Sequence, residues 1–121
     1  MPVSRIAVVI EDDDDVRGLI GIVLAGEGLK VVEAATAASG IEAVREHLPD
    51  LVVLDYGLPD LDGVQAASRI RELTQNPILM LTAREDIAAA VKPDVTSSMT
   101  KPFRPAQLGL LARDLLGRAS G

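Results

Sequence analysis

Short apolar runs alternate along the chain with longer stretches in which apolar and polar positions follow a helical period. The apolar runs are rich in Val, Ile and Leu and show little polar alternation, which is typical of strands buried on both faces. They predict five strands, at residues 4–10, 29–33, 51–55, 78–81 and 94–100. The stretches between them carry apolar residues at i, i+3, i+4 and i+7. They predict five helices, at residues 16–24, 41–48, 64–73, 84–91 and 105–116.

Strict alternation of strands and helices predicts the topology as well. Apolar strands joined by helical crossovers form a parallel sheet with helices on both faces. Right-handed crossovers leave few arrangements, and five strands favour the order 2-1-3-4-5. We therefore predict a single α/β domain over residues 1–121, a doubly wound three-layer sandwich with residues 118–121 as a frayed tail.

Carboxylates follow two of the predicted strands directly. Glu11 and Asp12 come after the first strand, and Asp55 closes the third. In the 2-1-3-4-5 order these strands are neighbours at the switch point, where ligands bind at the carboxyl ends. Two like charges ~4 Å apart repel by roughly 4 kcal/mol at an effective dielectric constant near 20, and either a cation or protonation must relieve this repulsion. An all-oxygen set of ligands favours Mg²⁺.

Two further residues lie at the same predicted edge of the sheet. Thr82 closes the fourth strand, and Lys101 follows the fifth. A hydroxyl and an ammonium beside Asp55 suit an incoming phosphoryl group, with Asp55 as the nucleophile that forms an aspartyl phosphate. Taken singly, these residues have ordinary structural explanations. Thr82 can be a threonine that ends a strand, Lys101 a solvated lysine, and the acids Asp13–Asp15 can cap a helix. The phosphoryl interpretation depends on the four strand ends meeting.

The overall composition removes several classes of function. The 121 residues carry a formal net charge of −6, include no cysteine and contain only two aromatic residues, Tyr56 and Phe103. Disulfides and thiolate metal sites are excluded, and direct binding of nucleic acid through a basic surface is disfavoured. No apolar run reaches the ~18–20 residues that span a bilayer, so we expect no membrane segment. The absence of cysteine fits a cytoplasmic location, which we expect.

The motifs in order resemble those of a response-regulator receiver domain of two-component signalling, which has a flavodoxin-like, CheY-like fold. The matching segments are Val9–Asp13, Pro49–Asp55, Leu58–Gly63, Leu81–Ala83 and Thr100–Phe103. The resemblance implies that Asp55 accepts a phosphoryl group from a sensor histidine kinase or a histidine phosphotransfer protein. It implies a downstream effector as a second partner, and no enzymatic activity beyond the domain's own phosphorylation and dephosphorylation.

The same resemblance assigns roles to individual residues. Mg²⁺ would be held by Glu11, Asp12, Asp55 and the backbone carbonyl of Gly57. Thr82 and Lys101 would hold and sense the phosphoryl group. The Lys101–Pro102 peptide bond is expected to be cis, a configuration mostly confined to proline.

The sequence departs from the family pattern on the face through which receivers usually signal. Ser98 stands where an aromatic switch residue is usual, three positions before Lys101. The 84–99 region is shorter than usual by about one helical turn. We expect intact phosphorylation chemistry and an output that uses a different switch or a partner specialised for the altered face.

Three other interpretations are open at this point. A phosphohydrolase of the haloacid-dehalogenase type requires a second aspartate two residues after the nucleophile, where this chain has Gly57. A flavodoxin-like electron carrier requires a glycine- and hydroxyl-rich phosphate loop after the first strand, and aromatic residues around the flavin. A degenerate receiver would act as a protein-interaction module without phosphorylation.

Two further residues have both a structural and a functional interpretation. His47, near the end of the second helix, is interpreted as solvated or capping rather than phosphotransferring. Tyr56, next to Asp55, is interpreted as a core residue, with a gate on the pocket as the alternative.

Overall fold

The computed structural model describes residues 4–84 and 94–120. It contains a five-stranded sheet in which all neighbouring strands are parallel, in the order β2-β1-β3-β4-β5. The strands are β1 (Ile6–Ile10), β2 (Lys30–Ala34), β3 (Leu51–Asp55), β4 (Ile78–Thr82) and β5 (Ser97–Thr100). The predicted fold class and strand order are confirmed.

Four helices connect or follow these strands in the described residues: α1 (Asp14–Gly26), α2 (Ala37–His47), α3 (Gly63–Arg71) and the C-terminal helix (Pro105–Ser120). Polar side chains begin the first three by accepting hydrogen bonds from amides that have no partner within the helix. Asp13 accepts from Asp15 and Val16, Thr36 forms a capping box with Ser39, and Asp62 accepts from Gln65. The expectation of a helix cap within Asp13–Asp15 is confirmed, because Asp13 fills that role.

The core has one layer on each side of the sheet, because successive side chains along a strand point to opposite faces. Val8, Val52 and Met80 pack with residues of α2 and α3 on one side. Ala7, Val53 and other strand residues pack with α1 and the C-terminal helix on the other. Every residue of β3 and β4 is buried. The central strands are therefore rigid supports for the residues at their carboxyl ends.

Most predicted boundaries differ from the observed ones by one to four residues, and two of these differences have a clear physical cause. The fifth strand was expected over residues 94–100 but begins at Ser97, because the carbonyl of Asp94 and the hydroxyl of Thr96 accept hydrogen bonds from Arg71 and Ile78. The C-terminal helix was expected over residues 105–116 but extends to Ser120. Arginine and alanine at positions 118 and 119 favour continued helix.

The helix expected over residues 84–91 falls almost entirely on residues 85–93, outside the described part of the chain. Within residues 4–84 and 94–120, no helix is long and apolar enough to cross a bilayer.

Candidate functional site

The acidic residues meet because β1 and β3 are paired in register. Ile10 lies opposite Leu54, so Glu11 and Asp55 follow at the same level of the sheet edge. Glu11 is 1% exposed and Asp55 is 6% exposed, whereas Asp12 is exposed. One carboxylate oxygen from each of the three lies within 4.8 Å of the others. The structure thus brings together the three acids that the sequence assigned to one pocket.

Lys101 lies between two of these carboxylates. Its Nζ is 3.1 Å from Asp55 Oδ1 and forms an ion pair with Glu11 Oε1. The backbone positions it, since the Lys101 N–H donates to the Thr82 carbonyl at 2.8 Å and so extends the pairing of β4 and β5. The Lys101–Pro102 peptide bond is cis, as expected.

Burial and charge shift the pKa values of this group. Burial raises the pKa of Glu11 to about 6 and the nearby Asp55 charge adds to the rise, while the hydrogen bond from Lys101 acts against it. Burial also disfavours the charged form of Lys101, but its hydrogen bonds and attraction to Glu11 and Asp55 outweigh this and raise its pKa. Among the described residues, the Lys101 ammonium pairs with two of the three clustered carboxylates, and the remaining excess of negative charge suits a bound cation.

Thr82 is the last residue of β4 and is 2% exposed. Its preceding residue, Leu81, pairs with Asp55, which places Thr82 beside the end of β3. The Thr82 hydroxyl oxygen accepts a hydrogen bond from the Arg84 amide at 3.1 Å. Accepting uses a lone pair, so the hydroxyl proton can still be donated to a ligand.

The loop after Asp55 borders the same pocket. Gly57 is exposed, and a Cβ atom built on it would lie 3.9 Å from Asp55 Oδ2. Tyr56 is half-buried and packs against the core, as the core interpretation predicts. The two ends of the loop are joined by a hydrogen bond, which the Gly63 amide donates to the Tyr56 carbonyl at 2.9 Å.

Sequence reasoning did not identify the anchor of this loop. Both carboxylate oxygens of Asp60 accept hydrogen bonds, from the Ala37 and Ala38 amides at 2.9 Å each. These bonds hold the pKa of Asp60 below its ordinary value. Asp60 therefore ties the loop that follows Asp55 to the first turn of α2. Its partners are 22 and 23 residues away, a distance that no local pattern reveals.

Two other residues named from the sequence lie elsewhere. His47 is the last residue of α2, whose end points away from the carboxyl ends of the strands because helix and strands run in opposite directions. Ser98 lies half-buried in β5 opposite Met80. Residues 85–93, which make up most of the shortened 84–99 region, are outside the described part of the chain.

An apolar surface cleft opens beside the pocket. It has a volume of about 390 Å³ and lies where the first turns of α1 approach the segment after β5. Its walls are formed by Val16, Leu19, Lys101, Pro102 and Phe103. Lys101 therefore belongs to both the charged pocket and the apolar cleft.

Comparison with known proteins found a family model and related sequences that match most of the chain. The family model of the response regulator receiver domain matches residues 7–113. The transcriptional regulatory protein AfsQ1 of Streptomyces coelicolor is 37% identical over 112 residues, covering 90% of this chain and 50% of AfsQ1. The KDP operon transcriptional regulatory protein KdpE of Escherichia coli is 33% identical over 115 residues, covering 93% and 51%. The chain thus spans about half the length of these relatives.

Solved structures of receiver domains share the fold of this chain. The crystal structure of the receiver domain of NtrX from Brucella abortus superposes with a TM-score of 0.85 at 28% identity, covering 92% of this chain and 98% of that one. A CheY-like receiver domain from Methanospirillum hungatei gives a TM-score of 0.90 at 21% identity and covers 98% of both chains, a likeness in fold. The family match, the related sequences and the shared fold together show that this chain belongs to the response-regulator receiver-domain family of two-component signalling.

Proposed function

We propose that this receiver domain accepts a phosphoryl group on Asp55 in a Mg²⁺-dependent reaction. The donor would be a phosphohistidine of a sensor kinase or of a histidine phosphotransfer protein. One observation carries the proposal: a buried aspartate at a strand end has a lysine ammonium 3.1 Å from its Oδ1 and two further carboxylates beside it. That arrangement combines a nucleophile with the charges that an incoming phosphoryl group requires.

The residues of the pocket fit a magnesium ion. Glu11, Asp12 and Asp55 provide carboxylate oxygens, and the Gly57 carbonyl is the fourth proposed ligand. Mg²⁺ prefers such hard oxygen donors and usually keeps several waters, for which the exposed position of Asp12 leaves access. When bound, the ion would neutralise charge on the phosphoryl oxygens during transfer.

The proposed transfer requires only the phosphohistidine donor, the Asp55 carboxylate and a proton from water. A carboxylate oxygen of Asp55 forms a bond to phosphorus while the bond from phosphorus to the donor imidazole nitrogen breaks. The imidazole keeps the electron pair and takes up a proton. Lys101 neutralises charge on the phosphoryl group, and the Thr82 hydroxyl donates a hydrogen bond to one of its oxygens. Attack of water on phosphorus later releases inorganic phosphate and returns the Asp55 carboxylate. We infer that the domain catalyses only its own phosphorylation and dephosphorylation.

The apolar cleft beside Lys101 supports docking of the phosphoryl donor at this edge. Leu19 is 40% exposed in its wall. Substitution Leu19→Asp is expected to slow transfer from the cognate phosphohistidine protein at least tenfold while leaving phosphorylation by acetyl phosphate unchanged. Equal slowing with both donors would contradict docking in the cleft.

An interaction module without phosphorylation is the less favoured alternative. Such a module gains nothing from a Glu11 carboxyl whose pKa burial raises to about 6, because burying that charge opposes folding. The two functions differ in the response to Asp55→Asn: biological output should be lost if the domain is a phosphoacceptor and retained if it is not.

The output of the phosphorylated domain stays a prediction. Ser98 and the altered 84–99 region favour a different switch or a specialised effector partner. Structures with and without a phosphoryl mimic would test this, and the ordinary rearrangement of residues 84–103 would contradict it.

Phosphorylation itself is tested by incubation with acetyl phosphate, with and without Mg²⁺, followed by intact-mass measurement. We expect a gain of one phosphoryl group for the wild type with Mg²⁺ and none for Asp55→Asn. The matched control is Asp15→Asn, which removes an exposed carboxylate of the same acidic run and should behave like the wild type. The absence of a Mg²⁺-dependent gain in the wild type would overturn the proposal.

A further inference from the structure

The side chain of Arg17 joins three segments next to the acidic pocket. Its Nη1 donates to the backbone carbonyl of Glu11 at 2.9 Å. Its Nε donates to Glu33 of β2 at 3.2 Å, and its Nη2 donates to Asp14 in the first turn of α1 at 2.6 Å. The side chain is 17% exposed, so it is held largely out of solvent. The planar guanidinium can point donors in three fixed directions, which a lysine ammonium on a flexible stem cannot reproduce.

The segment that Arg17 contacts is the turn carrying two of the proposed metal ligands. On one side, the Glu11 amide donates to the Ala34 carbonyl at 3.0 Å. On the other, the Asp13 amide donates to Glu11 Oε2 at 3.3 Å, and the Asp13 side chain caps α1. Asp12 lies between these two fixed residues but is itself exposed. The position of its carboxylate in the cluster therefore depends on how firmly the turn is held.

The ion pair with Glu33 anchors the Arg17 side chain to β2 of the sheet. Glu33 lies across α1 at Gly21, where an added Cβ would come within 3.4 Å of Glu33 Oε2. The Glu33 side chain is 46% exposed, so the pair itself adds little to stability. Its contribution is directional, because it orients the guanidinium so that Nη1 faces the Glu11 carbonyl.

We propose that Arg17 is a positioning residue for the metal site, which it serves by fixing the backbone of the turn that presents Glu11 and Asp12. The inference rests on the proposed function, since it assumes that these acids bind Mg²⁺. Residues that orient the ligands of a metal typically change its affinity by 10- to 100-fold when they are replaced. Because Arg17 acts through one backbone carbonyl, the lower end of this range is expected.

A purely electrostatic role of Arg17 and a positioning role predict opposite changes in the affinity for Mg²⁺, so an experiment can distinguish them. Arg17 is a cation hydrogen-bonded to the backbone of Glu11, so its removal should tighten binding of Mg²⁺ if only electrostatic repulsion between the two cations matters. If positioning dominates, removal should weaken binding. Arg17→Lys keeps the positive charge and most of the aliphatic stem but loses the fork of donors. It separates the two effects and also carries the test if Arg17→Ala does not fold.

The experiment is a calorimetric titration with MgCl₂ of the wild type, Arg17→Lys, Arg17→Ala and the control Arg113→Lys. Arg113 forms a comparable pair of hydrogen bonds to Glu27 at the far end of α1, 2.8 Å from Nε and 3.2 Å from Nη2. We expect Kd for Mg²⁺ to rise about tenfold in both Arg17 variants and to stay within about twofold of wild type in Arg113→Lys. At limiting Mg²⁺, Arg17→Lys should react with acetyl phosphate more slowly than the wild type. At saturating Mg²⁺ its rate should return towards that of the wild type.

The possible outcomes separate the two proposals. Unchanged or tighter Mg²⁺ binding in the Arg17 variants, with a wild type that binds, would overturn the positioning role alone. A lower free energy of unfolding in EDTA with an unchanged Kd would do the same, because it marks a purely structural residue. A wild type that does not bind Mg²⁺ would overturn the proposed function and the positioning role together.

Discussion

Glu11 should destabilise the metal-free domain at neutral pH, and Glu11→Gln should relieve this. Burial raises the pKa of Glu11 from its ordinary value of 4.5 to about 6. One pKa unit corresponds to about 1.4 kcal/mol, so ionised Glu11 costs the folded state about 2 kcal/mol relative to the unfolded chain. Glutamine has nearly the same shape and carries no charge, so the variant lacks this penalty.

The sign of the pH dependence follows from where each state binds its proton. Below pH 4.5 Glu11 is protonated in both states and contributes nothing. Between pH 4.5 and 6 the unfolded chain releases the proton first, so stability falls as pH rises, and above pH 6 the whole penalty is present. About 1 kcal/mol of it develops between pH 5 and 7.5.

The assay is urea unfolding followed by far-ultraviolet circular dichroism, in EDTA, at several pH values from 5 to 7.5. The free energy of unfolding of Glu11→Gln minus that of the wild type should grow by about 1 kcal/mol across this range. Subtraction removes contributions of other titrating groups, and the altered contact with Lys101 adds only a constant offset. A difference that does not change with pH would refute the reasoning.

Magnesium should reverse the order of stability. A ligand at 100 times its Kd stabilises the folded state by about 2.7 kcal/mol. The wild type should gain this stabilisation and Glu11→Gln much less of it, because the variant lacks one proposed ligand. Equal stabilisation of both proteins by Mg²⁺ would show that Glu11 takes no part in binding.

Three further predictions concern the supports of the site. Gly63→Ala should lower the free energy of unfolding in urea by about 1–3 kcal/mol, because the new Cβ would lie 2.7 Å from the Tyr56 Cα atom; unchanged stability would contradict this. Leu48→Asn should raise it by up to about 1 kcal/mol, since exposed Leu48 has a φ of 46° that asparagine tolerates better; a loss of stability would refute the argument. Asp60→Asn should make unfolding less sensitive to acid, because the pKa of Asp60 is lowered and its stabilisation is lost as pH falls through that lowered pKa; identical acid-unfolding curves would oppose it.

The fold could be predicted because the apolar pattern of each strand and helix lies within a few consecutive residues. Buried runs such as Leu51–Asp55 and capping residues such as Asp62 carry their structural meaning within a few positions. The meeting of Glu11, Asp55 and Lys101 was predictable as well, because parallel strands bring their carboxyl ends to one edge.

The long-range polar contacts were not predictable in this way. Arg71 donates to the carbonyls of Asp94 and Asn76, which turns residues 94–96 from expected strand into an anchored connection. Asp60 and Arg17 likewise bond to backbone groups on other elements. A backbone acceptor has no sequence signature, so such partners become visible only in three dimensions.

Identification of the phosphorylated residue tests the central claim most directly. Borohydride reduces an aspartyl phosphate to homoserine, which peptide mass mapping locates in the sequence. After reaction with acetyl phosphate and Mg²⁺, we predict homoserine at position 55, and none when Mg²⁺ is removed with EDTA. Homoserine at another carboxylate, or a phosphoryl group retained on His47, would contradict the account.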